Sequence, residues 1–186
     1  MNRFFELFLI LLIGIFLIIP SILIVLLIKI DSKGPILYTS KRVGRNNIFF
    51  NMPKFRTMKV GTPQIATHLL GNPDEYQTKI GKILRKTSLD EIPQILSVIK
   101  GDMKLVGPRP ALFNQDDLIA LRTEKKIHLL KPGITGWAQV NGRDSIDIED
   151  KVALDEVYLL KSSTSFDCCI LILTLKKVIS REGISH

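Results

Sequence analysis

From Leu7 to Ile28 the chain reads "LFLILLIGIFLIIPSILIVLLI", without a single charged side chain. As a helix rising about 1.5 Å per residue it would be about 33 Å long, enough for a hydrocarbon core of about 30 Å. A chain of 186 residues has room for one modest domain, whose core is too small to cover such a run. The segment is therefore expected to be embedded in a membrane. The division expected is an anchor over residues 1–30 and a cytoplasmic domain over residues 31–186. A cleaved signal peptide fits poorly, because the run is too long and no A-x-A-like site follows it.

Pro20-Ser21 interrupts the run near its middle. Proline removes a backbone donor and strains the preceding turn, and a neighbouring hydroxyl can bond a freed carbonyl. Two readings stand at this point: a kinked span, or a helix that breaks at Pro20 and returns to the same face as a re-entrant anchor. Lys29, Lys33, Lys41, Arg42 and Arg45 follow the segment at once, which puts the downstream domain in the cytoplasm by the positive-inside rule. Arg3 is offset by Glu6, so the side of the N-terminus stays open.

The net charge of +8 and pI of about 9.6 favour anionic partners: nucleic acid, an acidic membrane surface or phosphorylated substrates. Cys168 and Cys169 are neighbours and form no unstrained disulfide, in keeping with a reducing compartment. His68, His128 and His186 match no zinc spacing with them, so any metal would be held by oxygen, as Mg²⁺ is. Neither G-x-x-x-x-G-K-[ST] nor a G-x-G-x-x-G after a strand is present.

Beyond the anchor the fold is expected to be α+β and mostly helical, with small β-hairpin elements and surface amphipathic helices. Residues 31–58 suggest two short strands joined by the Gly44–Asn47 turn. Residues 59–78 read as loop with helical pieces. "YQTKIGKILRKTS" and "PQILSVIKGDM" carry helical spacing and flank "TSLDEIPQ". Residues 111–130 predict a helix burying Ala111, Leu112, Leu118, Ile119 and Leu121, with an interruption at 114–117. "PGITGWAQVNGRD" predicts a strand ending in an Asn-Gly hairpin turn. "IEDKVALDEVYLLKSS" and "FDCCILILTLKKVIS" predict helices. The last has Phe166, Cys169, Ile170, Leu173 and Val178 on one side, and it suits either a core or a membrane surface.

Asp90 and Glu91 are the leading candidates for chemistry. Ser88-x-x-Glu91 matches a capping box, and acids are favoured in a first helical turn. Pro93 argues instead for Asp90 as the cap, since proline is tolerated only in the first turn. Adjacent helical side chains point about 100° apart, so the two carboxylates suit two jobs: one a nucleophile on phosphorus, the other a Mg²⁺ ligand. In Gly107-Pro108-Arg109-Pro110, two prolines stiffen the segment. Its Arg109 is either a solvated turn residue or a preset bidentate phosphate contact. Lys54 and Arg56 in "KFRTM" and Arg143 in "NGRD" are further phosphate or substrate candidates. Trp137 suits the core better than base stacking, and Asp147-x-Glu149 is discounted as a metal pair.

In order and spacing, "LLIKIDSKGPILYTSKRVGR", "KFRTM", "IGKILRKTSLDEIPQILSVIKGDMKLVGPRP", "KPGITGWAQVNGRD" and "VALDEVYLLK" resemble the bacterial sugar transferase family, the monotopic polyprenyl-phosphate phosphoglycosyl transferases. The resemblance covers the chain from about residue 20 onward. It implies an enzyme of the inner membrane, its catalytic domain on the cytoplasmic face, with no nucleic-acid partner. The reaction implied moves a sugar 1-phosphate from a UDP-sugar to a polyprenyl (undecaprenyl) phosphate, releases UMP and starts a glycan. It also implies Asp90 as nucleophile, Glu91 as its helper, both associated with Mg²⁺, and Arg109 as a phosphate ligand. The family's re-entrant helix breaks at a Ser-Pro pair, whereas this chain has Pro20-Ser21 in the reverse order.

The leading expectation is a two-step transfer through an aspartyl-phosphosugar on Asp90. The alternatives are direct transfer in a ternary complex, with Asp90 only binding metal, and a non-enzymatic, membrane-anchored basic scaffold. The short chain and "GPRPALFNQDDL" favour an N-acetylated amino sugar as the group carried. Oligomeric state is not legible.

Overall fold

A computed structural model describes residues 1–63, 73–142 and 146–180. It is α+β and mostly helical, as expected. The helices are α1 (Arg3–Asp31), α2 (Pro73–Tyr76), α3 (Lys79–Thr87), α4 (Ile95–Lys100), α5 (Asp116–Glu124), α6 (Trp137–Val140), α7 (Ile148–Lys161) and α8 (Thr164–Ser180). The strands are β1 (Leu37–Val43), β2 (Phe49–Phe55), β3 (Lys104–Val106) and β4 (Gly133–Thr135), with 3₁₀ turns at Arg45–Asn47, Leu89–Gln94 and Ile127–Leu129.

Helix α1 starts at Asn2, whose side chain accepts from the Phe4 amide at 3.3 Å, and stops at Ser32, which is extended. Pro20 lies inside it. Helical backbone continues through the proline, which withholds only its own N–H from the turn before it. Leu11, Ile15, Phe16, Ile19, Ile22 and Leu23 are each more than half exposed. The two ends are packed: Ile10 joins Met52, Val98 and Ile170 in one core cluster, and Ile24 and Ile28 join Phe55 and Leu84 in another. Near the N-terminus the buried Glu6 accepts from the Leu105 amide at 2.8 Å and from Arg3 at 3.0 Å. Arg3 also donates to the carbonyls of Val98 and Ile99. At the other end Asp31 accepts from the Ile80 amide at 3.0 Å.

Strands β1 and β2 form the expected hairpin, in the register Leu37↔Phe55 to Val43↔Phe49. Antiparallel partners share a face. Tyr38, Ser40 and Arg42 therefore lie on the same side as Lys54, Met52 and Phe50. Strands β3 and β4 pair in parallel, Lys104↔Gly133 and Val106↔Thr135.

Here the structure corrects the sequence reading. The strand ends at Thr135, Trp137–Val140 is helical, and no hairpin forms before Asn141-Gly142. The ladder stops because its partner runs into Pro108, which has no N–H to offer; its last rung is the Gly107 amide to the Thr135 carbonyl, 2.9 Å. Trp137 packs against Phe166 with ring centroids 5.0 Å apart.

The helix expected over 111–130 begins only at Asp116; residues 111–112 pair with the end of β1 instead, through Arg42↔Leu112. In α8, Ile170 is fully buried while Val178 and Cys169 are exposed. Its inward side is thus narrower than the spacing suggested. Replacing Ile170 with Ala is expected to cost about 2–5 kcal/mol in denaturant unfolding of the detergent-solubilised chain. Cys169→Ala, on the exposed side of the same helix, should stay within about 0.5 kcal/mol of wild type.

Candidate active site

Asp90 and Glu91 lie on the 3₁₀ turn Leu89–Gln94 between α3 and α4. Neither is a cap. Helix α3 ends at Ser88, a non-glycine residue in the left-handed region (φ 57°) whose side chain makes no cap bond. The chain restarts as a 3₁₀ turn that carries Pro93 inside it. Neither a Ser88–Glu91 capping box nor an Asp90 cap forms, and both carboxylates are directed at cations.

Those cations come from distant strands and loops. Lys54, on β2, puts its Nζ 2.7 Å from Glu91 Oε1 and 3.6 Å from Asp90 Oδ2. Arg109 reaches Glu91 with Nη2 to Oε1 at 2.8 Å and a longer contact to Oε2 at 3.5 Å. Side-chain exposure rises from 9% at Asp90 to 12% at Glu91, 16% at Lys54 and 27% at Arg109, so the group is a recess with Asp90 deepest. Arg42 and Arg85 add to the field: Arg42 acts on Arg109 and Glu91, and Arg85 acts on Asp90. Four basic side chains thus surround two acids, an excess of positive charge suited to a diphosphate.

The two carboxyls titrate in opposite directions. Burial pushes Asp90 up, Lys54 opposes it, and the neighbouring Glu91 charge adds to the rise. Glu91 is also desolvated, but Arg109 and Lys54 overcome burial and hold it well below the usual carboxylate range. Burial, with the Arg109 charge, brings Arg42 down to about 10, so it stays charged at neutral pH. Carboxyls whose environments separate them in this way serve as groups with different roles. Lys54 Nζ already marks a point between them where a cation is favoured. One or two carboxylates together with substrate phosphate and water are the donor set Mg²⁺ prefers. Among the described residues no group of three His, Cys, Asp or Glu could hold a metal.

The arm that carries Arg109 is fixed at four successive carbonyls. Pro108 O accepts from the Gly133 amide at 2.9 Å, Arg109 O from Arg122 Nη1 at 2.8 Å, Pro110 O from Arg42 Nη1 at 3.2 Å, and Ala111 O from the Val43 amide at 3.0 Å. Its base is crowded: a Cβ on Gly133 would overlap the Gly107 amide, and one on Gly136 would overlap the Gly107 carbonyl.

Asp90, Glu91, Lys54 and Arg109 are thus brought together. Arg56 is not among them. It is buried and donates to the Ser32 carbonyl (2.8 Å), the Ser32 hydroxyl (2.7 Å) and the Lys33 carbonyl (3.0 Å). It ties down the chain leaving α1, which corrects its reading as a phosphate ligand. Arg143 lies outside the described residues. Asp147 caps α7, accepting from the Asp150 amide at 2.8 Å. Sequence reasoning missed Arg42, Arg85 and the Arg122–Asp155 pair. The hairpin register held a usable signal for Arg42, since it puts Arg42 on the face of Lys54.

The bacterial sugar transferase family matches residues 1–181. The uncharacterized sugar transferase EpsL of Bacillus subtilis (strain 168) is 43% identical over 162 residues, which is 86% of this chain and 77% of EpsL. The galactosyl transferase CpsE of Streptococcus agalactiae serotype III (strain NEM316) is 41% identical over 162 residues, 81% of this chain and 36% of CpsE. The UDP-glucose:undecaprenyl-phosphate glucose-1-phosphate transferase of Escherichia coli (strain K12) is 38% identical over 162 residues, 83% of this chain and 35% of that protein. The chain therefore spans about a third of the latter two. Gly133→Ala is expected to displace the arm from β4 and to destabilise the detergent-solubilised chain by about 1–3 kcal/mol, as overpacking typically does, read by denaturant unfolding.

Proposed function

Since the chain belongs to the bacterial sugar transferase family, we propose that it moves a sugar 1-phosphate from a UDP-sugar to a polyprenyl phosphate, with release of UMP. The observation that carries this reading is the recess in which Lys54 and Arg109 close on Asp90 and Glu91, neighbours in sequence, at 2.7–3.6 Å. The name of the E. coli relative gives the same donor and acceptor classes.

The reaction proceeds in two steps. An oxygen of the Asp90 carboxylate forms a bond to the β-phosphorus of the donor. The bond from that phosphorus to the bridging oxygen breaks, and UMP leaves with the electron pair. The lipid phosphate then attacks the same phosphorus and returns Asp90 as a carboxylate. Lys54, 3.6 Å away, opposes the burial of Asp90 and favours its ionised form, while desolvation leaves that carboxylate weakly stabilised and reactive. Arg109 moves from Glu91 to the equatorial phosphoryl oxygens, where its fork binds two of them. Asp90 and Glu91 would hold Mg²⁺, which supplies positive charge to the diphosphate when bound.

Residues 1–30 form the membrane anchor and residues 31–186 the catalytic domain, on the cytoplasmic face of the inner membrane. Supporting a re-entrant anchor, Glu6 and Ile10 at one end of α1 and Ile28 and Asp31 at the other pack on the same body, with the apolar middle bare. Both ends then stay on the side of the active site. The sugar carried is an N-acetylated amino sugar, as the sequence reading favours, against the glucose and galactose in the relatives' names.

Asp90→Asn is expected to lower UMP release at least about a thousandfold, some 4 kcal/mol, and wild type given labelled donor without lipid should retain labelled phosphosugar on the protein. Near-wild-type turnover by Asp90→Asn, or UMP release strictly dependent on lipid with no protein label, would point to direct transfer in a ternary complex. A panel of UDP-sugars read by UMP release identifies the sugar; highest kcat/KM with UDP-glucose or UDP-galactose overturns the amino-sugar assignment.

A further inference from the structure

The buried pair of Arg122 and Asp155 lies behind the arm, and the catalytic proposal makes no use of it. Arg122, near the end of α5, donates Nε and Nη2 to a single oxygen of Asp155 on α7, at 3.0 and 2.5 Å. Its remaining fork, Nη1, donates to the Arg109 carbonyl at 2.8 Å. Asp155 is completely buried, and its second oxygen, Oδ1, has no hydrogen-bond partner among the described residues.

That arrangement is a poor stabilising device. A buried ion pair roughly breaks even against well-packed apolar side chains, and an unsatisfied carboxylate oxygen adds a further cost. What the pair does achieve is geometric. The prolines fix φ at positions 108 and 110, and Pro110 biases Arg109 towards extended backbone. Together they narrow the rotation of the peptide plane between Arg109 and Pro110 to a window of about 40° in ψ of Arg109, without fixing it within that window. The Arg109 carbonyl lies in that plane, and the plane's rotation decides where the Arg109 side chain leaves the arm. The carbonyls on either side are held by a backbone amide (Pro108) or by Arg42 (Pro110), whereas the one belonging to Arg109 itself is held by Arg122.

The geometry points to Arg122, oriented by Asp155, as a positioning residue that sets Arg109 for the donor diphosphate. The inference rests on the reading of Arg109 as a phosphate ligand. Lysine at 122 can pair with Asp155 but cannot fork to the carbonyl at the same time, so Arg122→Lys separates positioning from charge.

The test uses UDP as the probe, in calorimetry with Mg²⁺ on the full chain in nanodiscs. Arg122→Lys and Arg109→Lys should each weaken UDP binding about tenfold, while the double variant binds no more weakly than Arg109→Lys alone, because Arg122 acts through Arg109. The paired replacement Arg122→Met with Asp155→Leu should keep the melting temperature of wild type and still lose the same tenfold. It decides the matter if Arg122→Lys does not fold. UDP affinity within twofold of wild type in a folded Arg122 variant, losses that add in the double variant, or a wild type that does not bind UDP would overturn the assignment. A wild type that binds UDP with the expected coupling but releases no UMP from any donor fails the catalytic reading and leaves the positioning role standing.

Discussion

Two adjacent carboxylates buried at positions 90 and 91 are the constraint around which this fold is organised. An unpaired charge at such depth is costly, and removing one partner of a buried pair typically costs about 3–5 kcal/mol. Cations must therefore be delivered by other elements as a condition of folding. Lys54 arrives on β2, Arg109 on the arm after β3, and Arg85 on α3. Each element is held by its own packing, the hairpin by its register with β1 and the 3₁₀ turn by its position between α3 and α4. The recess is consequently formed before any ligand enters. The acids also hold the places of basic side chains that would otherwise repel one another.

The arm shows how little regular structure is needed when every carbonyl has a donor. Residues 108–111 contribute no strand of their own, and Pro108 and Pro110 cannot donate. Four consecutive carbonyls are nonetheless bonded to β4, α5 and β1. This satisfies the rule that buried backbone groups find partners while leaving the Arg109 side chain available to Glu91. The close approach of Gly107 to Gly133 and Gly136 brings β4 near enough to supply the first of these bonds. In this way sequence-distant glycines and a pair of prolines fix the course of the arm.

What could be read from the sequence was what is local. The hairpin over residues 37–55 and helices α3, α7 and α8 follow from patterns confined to a dozen residues or so. Asp90, Glu91 and Arg109 stood out because their neighbours restrict their backbone. The failures have a common origin in contacts far along the chain. "WAQV" follows directly on a strand pattern, but the partner β3 ends at Val106, just before Pro108, and the chain turns helical. Ser88-x-x-Glu91 has the letters of a capping box, but Glu91 is claimed by Lys54 and Arg109. Arg56 sits two residues beyond Lys54, yet the strand ends between them and its guanidinium is captured by Ser32 and Lys33. Arg122 and Asp155, 33 residues apart, had no local pattern at all.

The same logic bears on α1. A helix with a uniformly apolar middle carries no information about which way it faces, because every side of it suits lipid. Direction comes from the few polar and buried positions at its ends. Glu6 is the most informative of them. Its carboxylate is buried and bonded to the Leu105 amide and to Arg3, a place it could not keep in a helix end carried across a bilayer. Leu105 belongs to β3, which leads directly into the arm of Arg109. On the proposed reading, the contact that keeps the N-terminal end of the anchor on the catalytic side therefore also braces the strand from which the phosphate-binding arginine is presented. Membrane seating and active-site geometry are then joined through one buried carboxylate.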